Sequence, residues 1–140
     1  MKRKFSSSWK ASKLPRKQRK YRANAPLHTK HKFLSANLSK PLRQKYAKRS
    51  LPLRKGDEVL IMRGSFKKKK AKVVSVSLKK STVSLEGIQR AKKDGTKVPV
   101  VFSPRALQIY SLNLEDKERA KILTKKQKVS EKNIEETKGK

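Results

Sequence analysis

Apolar positions change rhythm along this chain. From Lys2 to Arg22 they are few and follow no helical or strand spacing, so residues 1–24 read as a basic extended arm that orders only on binding. Periodicity begins at Ala25. In Ala25–Leu34, Pro26 suits a first helical position, and Leu27, Phe33 and Leu34 can share a face. A second short helix is expected from Ser39, with Ser39 as N-cap, Pro41 in the first turn, and Leu42 and Tyr46 on one side. Neither helix is long enough to stand alone, so both must pack on something. Ser50-Leu51-Pro52-Leu53 ends this extension of residues 25–52.

Residues 53–112 switch to a strand pattern. Glu58–Arg63 is a short strand broken by Gly64-Ser65, and Val73, Val74, Val76 and Leu78 form a β-branched run. Lys79-Lys80-Ser81 is a turn, and Thr82–Leu85 alternates with period two. Asp94-Gly95 predicts a hairpin between Ile88–Arg90 and Val98–Val101. Pro99 lacks an N–H, which assigns its strand to an edge or a bulge. Ser103-Pro104-Arg105 turns into a last strand, Leu107–Leu112. Short strands in close succession over about sixty residues suggest a small closed barrel, since closure removes exposed edges. From Asn113 the pattern is helical through residue 129, with Asn113 as N-cap, Glu115, Asp116 and Glu118 early, and Lys121, Lys125 and Lys126 late. Residues 130–140 read as a frayed tail.

Charge sharpens this picture. The 140 residues carry 41 Lys+Arg against 10 Asp+Glu, a formal net charge of +31, with only 34% hydrophobic residues. Nineteen of the basic residues precede the first acidic one, Asp57. Self-repulsion on this scale opposes compaction, and a polyanion relieves it. Nucleic acid is the expected partner, bound by phosphate neutralisation and counterion release. An anionic membrane surface is the rival polyanion. No apolar run approaches the roughly 18 residues that a span needs, so no membrane insertion is expected. The chain has no cysteine, so disulfides and thiolate metal sites are excluded. No apolar stretch follows the basic start, so no signal peptide is expected.

The segment Leu53 to Val76 carries a motif. Gly56-Asp57 should turn the chain into the first strand, with Asp57 supporting the turn. Val59 and Ile61 should point inward, and Gly64 should allow a turn at positive φ. The loop Ser65–Lys70 then projects four successive lysines, and Val74 and Val76 return inside. This stretch resembles the KOW motif of ribosomal proteins and transcription elongation factors. The likeness extends to Pro15–Lys20, Asn24–His28, Leu38–Tyr46, Arg49–Pro52, Asp94-Gly95-Thr96 and Leu112–Asp116. Over roughly residues 14–123 the chain resembles the universal KOW-containing family of the large ribosomal subunit, in its archaeal and eukaryotic form. Lys68 and Ala71 stand where members usually carry glycine, which puts the tight turn geometry in question.

The resemblance implies a mainly β fold with short helices: an SH3-like β-barrel with a basic N-terminal extension and a C-terminal helix. It implies a cytoplasmic, structural role in the ribosome, with large-subunit rRNA and neighbouring ribosomal proteins as partners. It further implies a place near the peptide exit tunnel and a role in subunit assembly. A KOW-type regulator of RNA polymerase or nascent RNA is the other reading of the motif.

Candidate RNA-binding residues are, in the extension, Lys2, Arg3, Lys4, Arg16, Lys17, Arg19, Lys20, Arg22, His28, Lys30, His31, Lys32, Lys40, Arg43 and Arg49. In the strand region they are Arg54, Arg63, Lys67, Lys68, Lys69, Lys70, Lys72, Lys79, Lys80, Arg90, Lys97 and Arg105. Trp9 and Tyr21, set among cations, can stack on unpaired bases or pack against a neighbouring protein. Gly56, Gly64 and Gly95, with Asp57, are candidate turn residues. His28 and His31 lie three apart, but with no nearby cysteine or carboxylate they favour phosphate or base contacts over metal. No nucleophile–base set, phosphate-cradling glycine loop or metal cluster is visible, so no enzyme activity, cofactor or small-molecule substrate is expected.

Overall fold

The computed structural model describes residues 5–123. Among these residues, seven strands form one hydrogen-bonded sheet. They are β1 (Ser35–Leu38), β2 (Ser50–Pro52), β3 (Glu58–Ile61), β4 (Lys70–Ser77), β5 (Thr82–Ala91), β6 (Lys97–Phe102) and β7 (Leu107–Ser111). Their order is β2-β1-β7-β3-β4-β5-β6. All pairings are antiparallel except β1 with β7, which is parallel.

The hydrogen-bond ladder does not close into the expected barrel: its terminal strands, β2 and β6, are not partners. The sheet curls instead. Residues Lys70–Lys72 of β4 pair with β3, and Val73–Ser77 pair with β5. Phe102, at the end of β6, lies with its ring 6.2 Å from Phe66 on the turn leaving β3, although two strands separate β3 from β6 in the sheet. Both edges are blunted. β2 has three residues and ends in Pro52, and β6 carries Pro99, whose missing N–H suits a terminal strand.

One apolar cluster fills the concave side. Val59 and Ile61 of β3, Leu107 and Ile109 of β7, and Val73, Val83, Leu85 and Ile88 are buried in it. Val73 faces inward while Val74 is exposed, the reverse of the sequence expectation, because the β4–β5 register shifts between Val73 and Ser75. Thr82–Leu85 and Ile88–Arg90 belong to one strand, β5, whose register on β6 shifts between Ser84 and Gln89.

The N-terminal extension is part of this core. The hydrophobic pattern predicts no strand before residue 53, yet β1 supplies the fully buried Leu38 and β2 supplies Leu51. A helix α3 (Lys40–Tyr46) links them, begins after Ser39, and ends at Ala47 in the left-handed region (φ 48°). Ser39 makes no side-chain cap; its N–H donates to Ile109 O at 2.9 Å.

Residues 5–24 are also structured, against the expectation of an extended arm. A 3-10 turn (Ser7–Ala11) precedes α1 (Pro15–Asn24), and α2 (Leu27–Phe33) follows. The Gln18 amide on α1 donates to the carbonyls of Lys10 (3.0 Å) and Ser12 (2.8 Å) and so holds the turn. Tyr21 packs between Phe5 and Phe33, at ring separations of 5.1 and 5.9 Å. Sparse aromatics at long sequence separation carry no periodic signal, which is why the pattern missed this unit. On α2, Pro26 is the N-cap residue and Leu27 is exposed, so Leu27 does not share the buried face of Leu34.

Helical backbone resumes over residues 117–123. Its cap is Asp116, whose Oδ1 accepts from the Glu118 N–H at 2.8 Å; Asn113 instead closes a turn on the Glu115 N–H at 2.9 Å. Residues 124–140, with Lys125, Lys126 and the expected tail, lie outside the described residues.

Candidate nucleic-acid interface

The lysine turn is held by backbone bonds at its base. Lys68 N–H donates to Ile61 O (2.8 Å), and Ile61 N–H donates to Lys69 O (2.9 Å). Lys67 N–H adds a bond to Gly64 O at 3.1 Å. Gly64 has φ 95°, and Lys68 itself takes φ 71°. The geometry that glycine usually supplies is thus adopted by a lysine, at an expected cost of about 1–2 kcal/mol. Lys67, Lys68, Lys69 and Lys70 are all exposed, as are Arg63 and Lys72 beside them. Two ammonium groups rest on rings: Lys69 lies 5.6 Å from the Phe66 centroid and Lys70 lies 3.9 Å from that of Tyr110.

The other end of β3 is pinned by a buried ion pair. Asp57 is fully buried and Arg119 is 5% exposed. Arg119 Nη1 donates to Asp57 Oδ1 at 2.6 Å, and Nη2 donates to Oδ2 at 2.8 Å. The same guanidinium reaches Asn113 O (2.9 Å) and Pro52 O (3.3 Å). Asp57 also accepts from the N–H groups of Arg54 (2.9 Å) and Asn113 (3.1 Å). Among the described residues, no buried side-chain polar atom lacks a partner. Gly56, at φ 89°, lies against Asn113: a Cβ there would sit 2.6 Å from Asn113 Nδ2. Arg54 is ion-paired to Asp116.

Arg119 escaped sequence reasoning. Its one signal was position: Leu123, four residues on, is buried on the same face, and a charge on that face demands a partner.

The other candidates are distributed over the outer surface. Arg16, Lys17, Arg19, Lys20 and Arg22 are exposed on α1, which has no acidic residue in its first turn. His28 and Lys32 are exposed on α2, while Lys30 and His31 are half-buried. Lys40, Arg49, Lys79, Lys80, Arg90, Lys97 and Arg105 are exposed on α3, the turns and the outer strands. Arg43 is partly committed, because its Nε donates to Leu38 O at 2.8 Å. Gly95 (φ 81°) forms the β5–β6 turn, where Asp94 Oδ1 accepts from the Thr96 N–H and hydroxyl at 3.0 and 2.7 Å. These bonds hold the Asp94 carboxyl below its ordinary pKa, the hydroxyl contributing most. Lys2, Arg3 and Lys4 lie outside the described residues.

Of the two aromatic candidates, Tyr21 is buried and cannot offer a ring face to a base. Trp9 is half-buried, with the Lys20 ammonium 5.5 Å from its ring.

A buried ion pair that ties three segments, with cations spread over the outside, defines a basic β-sheet scaffold whose chemistry is electrostatic. Sequence comparison gives the family. The pattern shared by the eukaryotic ribosomal proteins L26 and their archaeal L24-type counterparts matches residues 12–126, and the chain belongs to that family. It is 43% identical over 123 residues to the large ribosomal subunit protein uL24 of Korarchaeum cryptofilum, covering 88% of this chain and 94% of that one. It is 45% identical over 114 residues to the uL24 of Methanothrix thermoacetophila and 46% identical over 114 to that of Methanosarcina barkeri. Each of these alignments covers 81% of this chain and 98% of the relative. As a ribosomal protein, the chain has a structural role and is not an enzyme.

Proposed function

We propose that the chain is a structural constituent of the large ribosomal subunit that binds rRNA through backbone and shape contacts. The carrying observation is the exposed run Lys67–Lys70 on a turn whose backbone is pinned to β3. A turn whose backbone is already pinned has little main-chain freedom left to lose when its lysines meet a phosphate backbone. α1 supplies a second argument. Arg16 and Lys17 occupy its first turn, where the helix dipole disfavours cations, and phosphate groups would relieve that repulsion.

In this reading β3–β7 act as the KOW-type, SH3-like unit, and α1, α2 and the lysine turn meet rRNA. Neighbouring large-subunit proteins are the other partners. The chain works in the cytoplasm, within the ribosome. The family likeness extends the proposal to a site near the peptide exit tunnel and a role in subunit assembly.

The test is a crosslinking map on large subunits purified in high salt. Crosslinks from rRNA to α1 and to Lys67–Lys70 are expected. Absence of the chain from washed large subunits would overturn the proposal and favour a KOW-type regulator.

A further inference from the structure

The outward face of the sheet centre holds an aromatic ring that the lysine turn alone does not explain. Tyr110 lies on β7, which is flanked by β1 and β3 and is the middle of the β2-β1-β7-β3 region. Its neighbours in sequence, Ile109 and Leu107, point into the core, so Tyr110 points out, and it is 51% exposed. Across β3, Lys70 is the Cα partner of Leu60, and Leu60 is in turn the partner of Gln108. The Lys70 side chain therefore reaches over β3 to place its ammonium 3.9 Å from the Tyr110 centroid. Lys72 is exposed two residues further along β4 on the same face, opposite Glu58.

From this juxtaposition we infer that Tyr110, with Lys70 and Lys72, forms a binding site for one unpaired RNA nucleotide. The base stacks on the tyrosine ring and the lysines take the flanking phosphates. The inference rests on the rRNA-binding reading above and deepens it, by adding unpaired-base recognition to backbone contact. Three features support it. The ring is mounted on a central strand, so it loses no loop entropy on binding. The Lys70 cation beside it, with Lys72 further along the same face, matches the phosphates that accompany any base. And the Lys70 ammonium already occupies the electron-rich ring face, a position from which it can swing to a phosphate as a base takes its place. Glu58 disfavours a second phosphate next to Lys72, which limits the site to a single nucleotide step.

The test compares the full chain with Tyr110→Leu, Tyr110→Phe and Tyr110→Ala. The probes are a single-stranded adenosine oligonucleotide carrying 2-aminopurine and a blunt RNA duplex of equal length. Because Tyr110 is half-exposed on the solvent face, the variants should keep the wild-type circular dichroism spectrum. Loss of one stacked base should weaken single-strand binding about ten-fold in the Leu and Ala variants. The Phe variant should bind as wild type and quench 2-aminopurine equally. Duplex affinity and the salt slope should not move, since tyrosine neutralises no phosphate. Unchanged single-strand binding in the Leu and Ala variants, or equal loss on both probes, would overturn the site while leaving the rRNA reading intact. A wild-type chain that bound neither probe would overturn both.

Discussion

Arg119 closes a two-pronged bond on Asp57, 2.6 and 2.8 Å long, across 62 residues of sequence. The pair joins the helix at residues 117–123 to the turn entering β3, and through Pro52 O to the end of β2. Arg119→Ala would leave the Asp57 carboxylate buried without its charge partner. A loss of about 3–5 kcal/mol is expected, read as a lowered midpoint in urea unfolding. Arg119→Ala together with Asp57→Asn should recover part of that loss, because the neutral amide needs no charge partner and its Oδ1 can still accept from the Arg54 or the Asn113 N–H.

Lys68 holds a left-handed backbone conformation that suits glycine. Lys68→Gly should stabilise the chain by about 0.5–1 kcal/mol, the relieved strain exceeding the added chain entropy of glycine. Thermal unfolding measures the gain. The same variant should weaken RNA binding, so stability and affinity should move in opposite directions.

Charge on α1 and on the lysine turn should appear in salt dependence. Replacing Arg16, Lys17, Arg19 and Lys20 together with Gln should flatten the slope of log K against log salt by about 0.7–0.9 for each phosphate that α1 no longer neutralises. Filter binding to large-subunit rRNA at several salt concentrations gives the number. An unchanged slope would mean that α1 faces away from phosphate.

Tyr21 should behave as a packing residue. Tyr21→Phe is expected to leave RNA affinity unchanged, since the ring sits between Phe5 and Phe33. Tyr21→Ala should expose amides of α1 to hydrogen exchange while those of β3 and β7 stay protected.

Asp94 gives a pH signature at the β5–β6 turn. Its folded pKa is lowered by the Thr96 hydroxyl and amide, so its stabilising contribution is present above the ordinary value of 3.8 and is lost as pH falls through the lowered one. Thr96→Val removes the larger cause and should raise the Asp94 pKa toward 3.8, as followed by NMR titration.

Most of the region from residue 53 to residue 112 was legible, because β structure there repeats every two residues and its turns carry Gly64, Gly95 or Pro104. The curl of the sheet was not, since closure depends on how far β4 bends between two partners. β1 was missed because Ser35-Ala36-Asn37-Leu38 has weak strand propensity; its partners, Ser50–Pro52 and residues of β7, lie far along the chain. For the interface, the exposed cations could be read directly from composition. Tyr21 and Tyr110 could not be told apart, because burial is decided by neighbours distant in sequence. One tyrosine among cations is enclosed by two phenylalanines, and the other lies open on a strand.

The parallel pairing of β1 with β7 also bears on the order in which the chain can fold. During synthesis Leu38 must wait for Ile109, its partner, which is made some seventy residues later. Until then β1 and β2 can form only a small antiparallel pair, and the acid-free first third of the chain stays open to any polyanion nearby. Late, non-local closure of this kind slows folding and lengthens exposure to wrong partners. A newly made chain should therefore depend on an early escort, either a chaperone that masks its cations or the rRNA itself, before β7 arrives to fill the centre of the sheet.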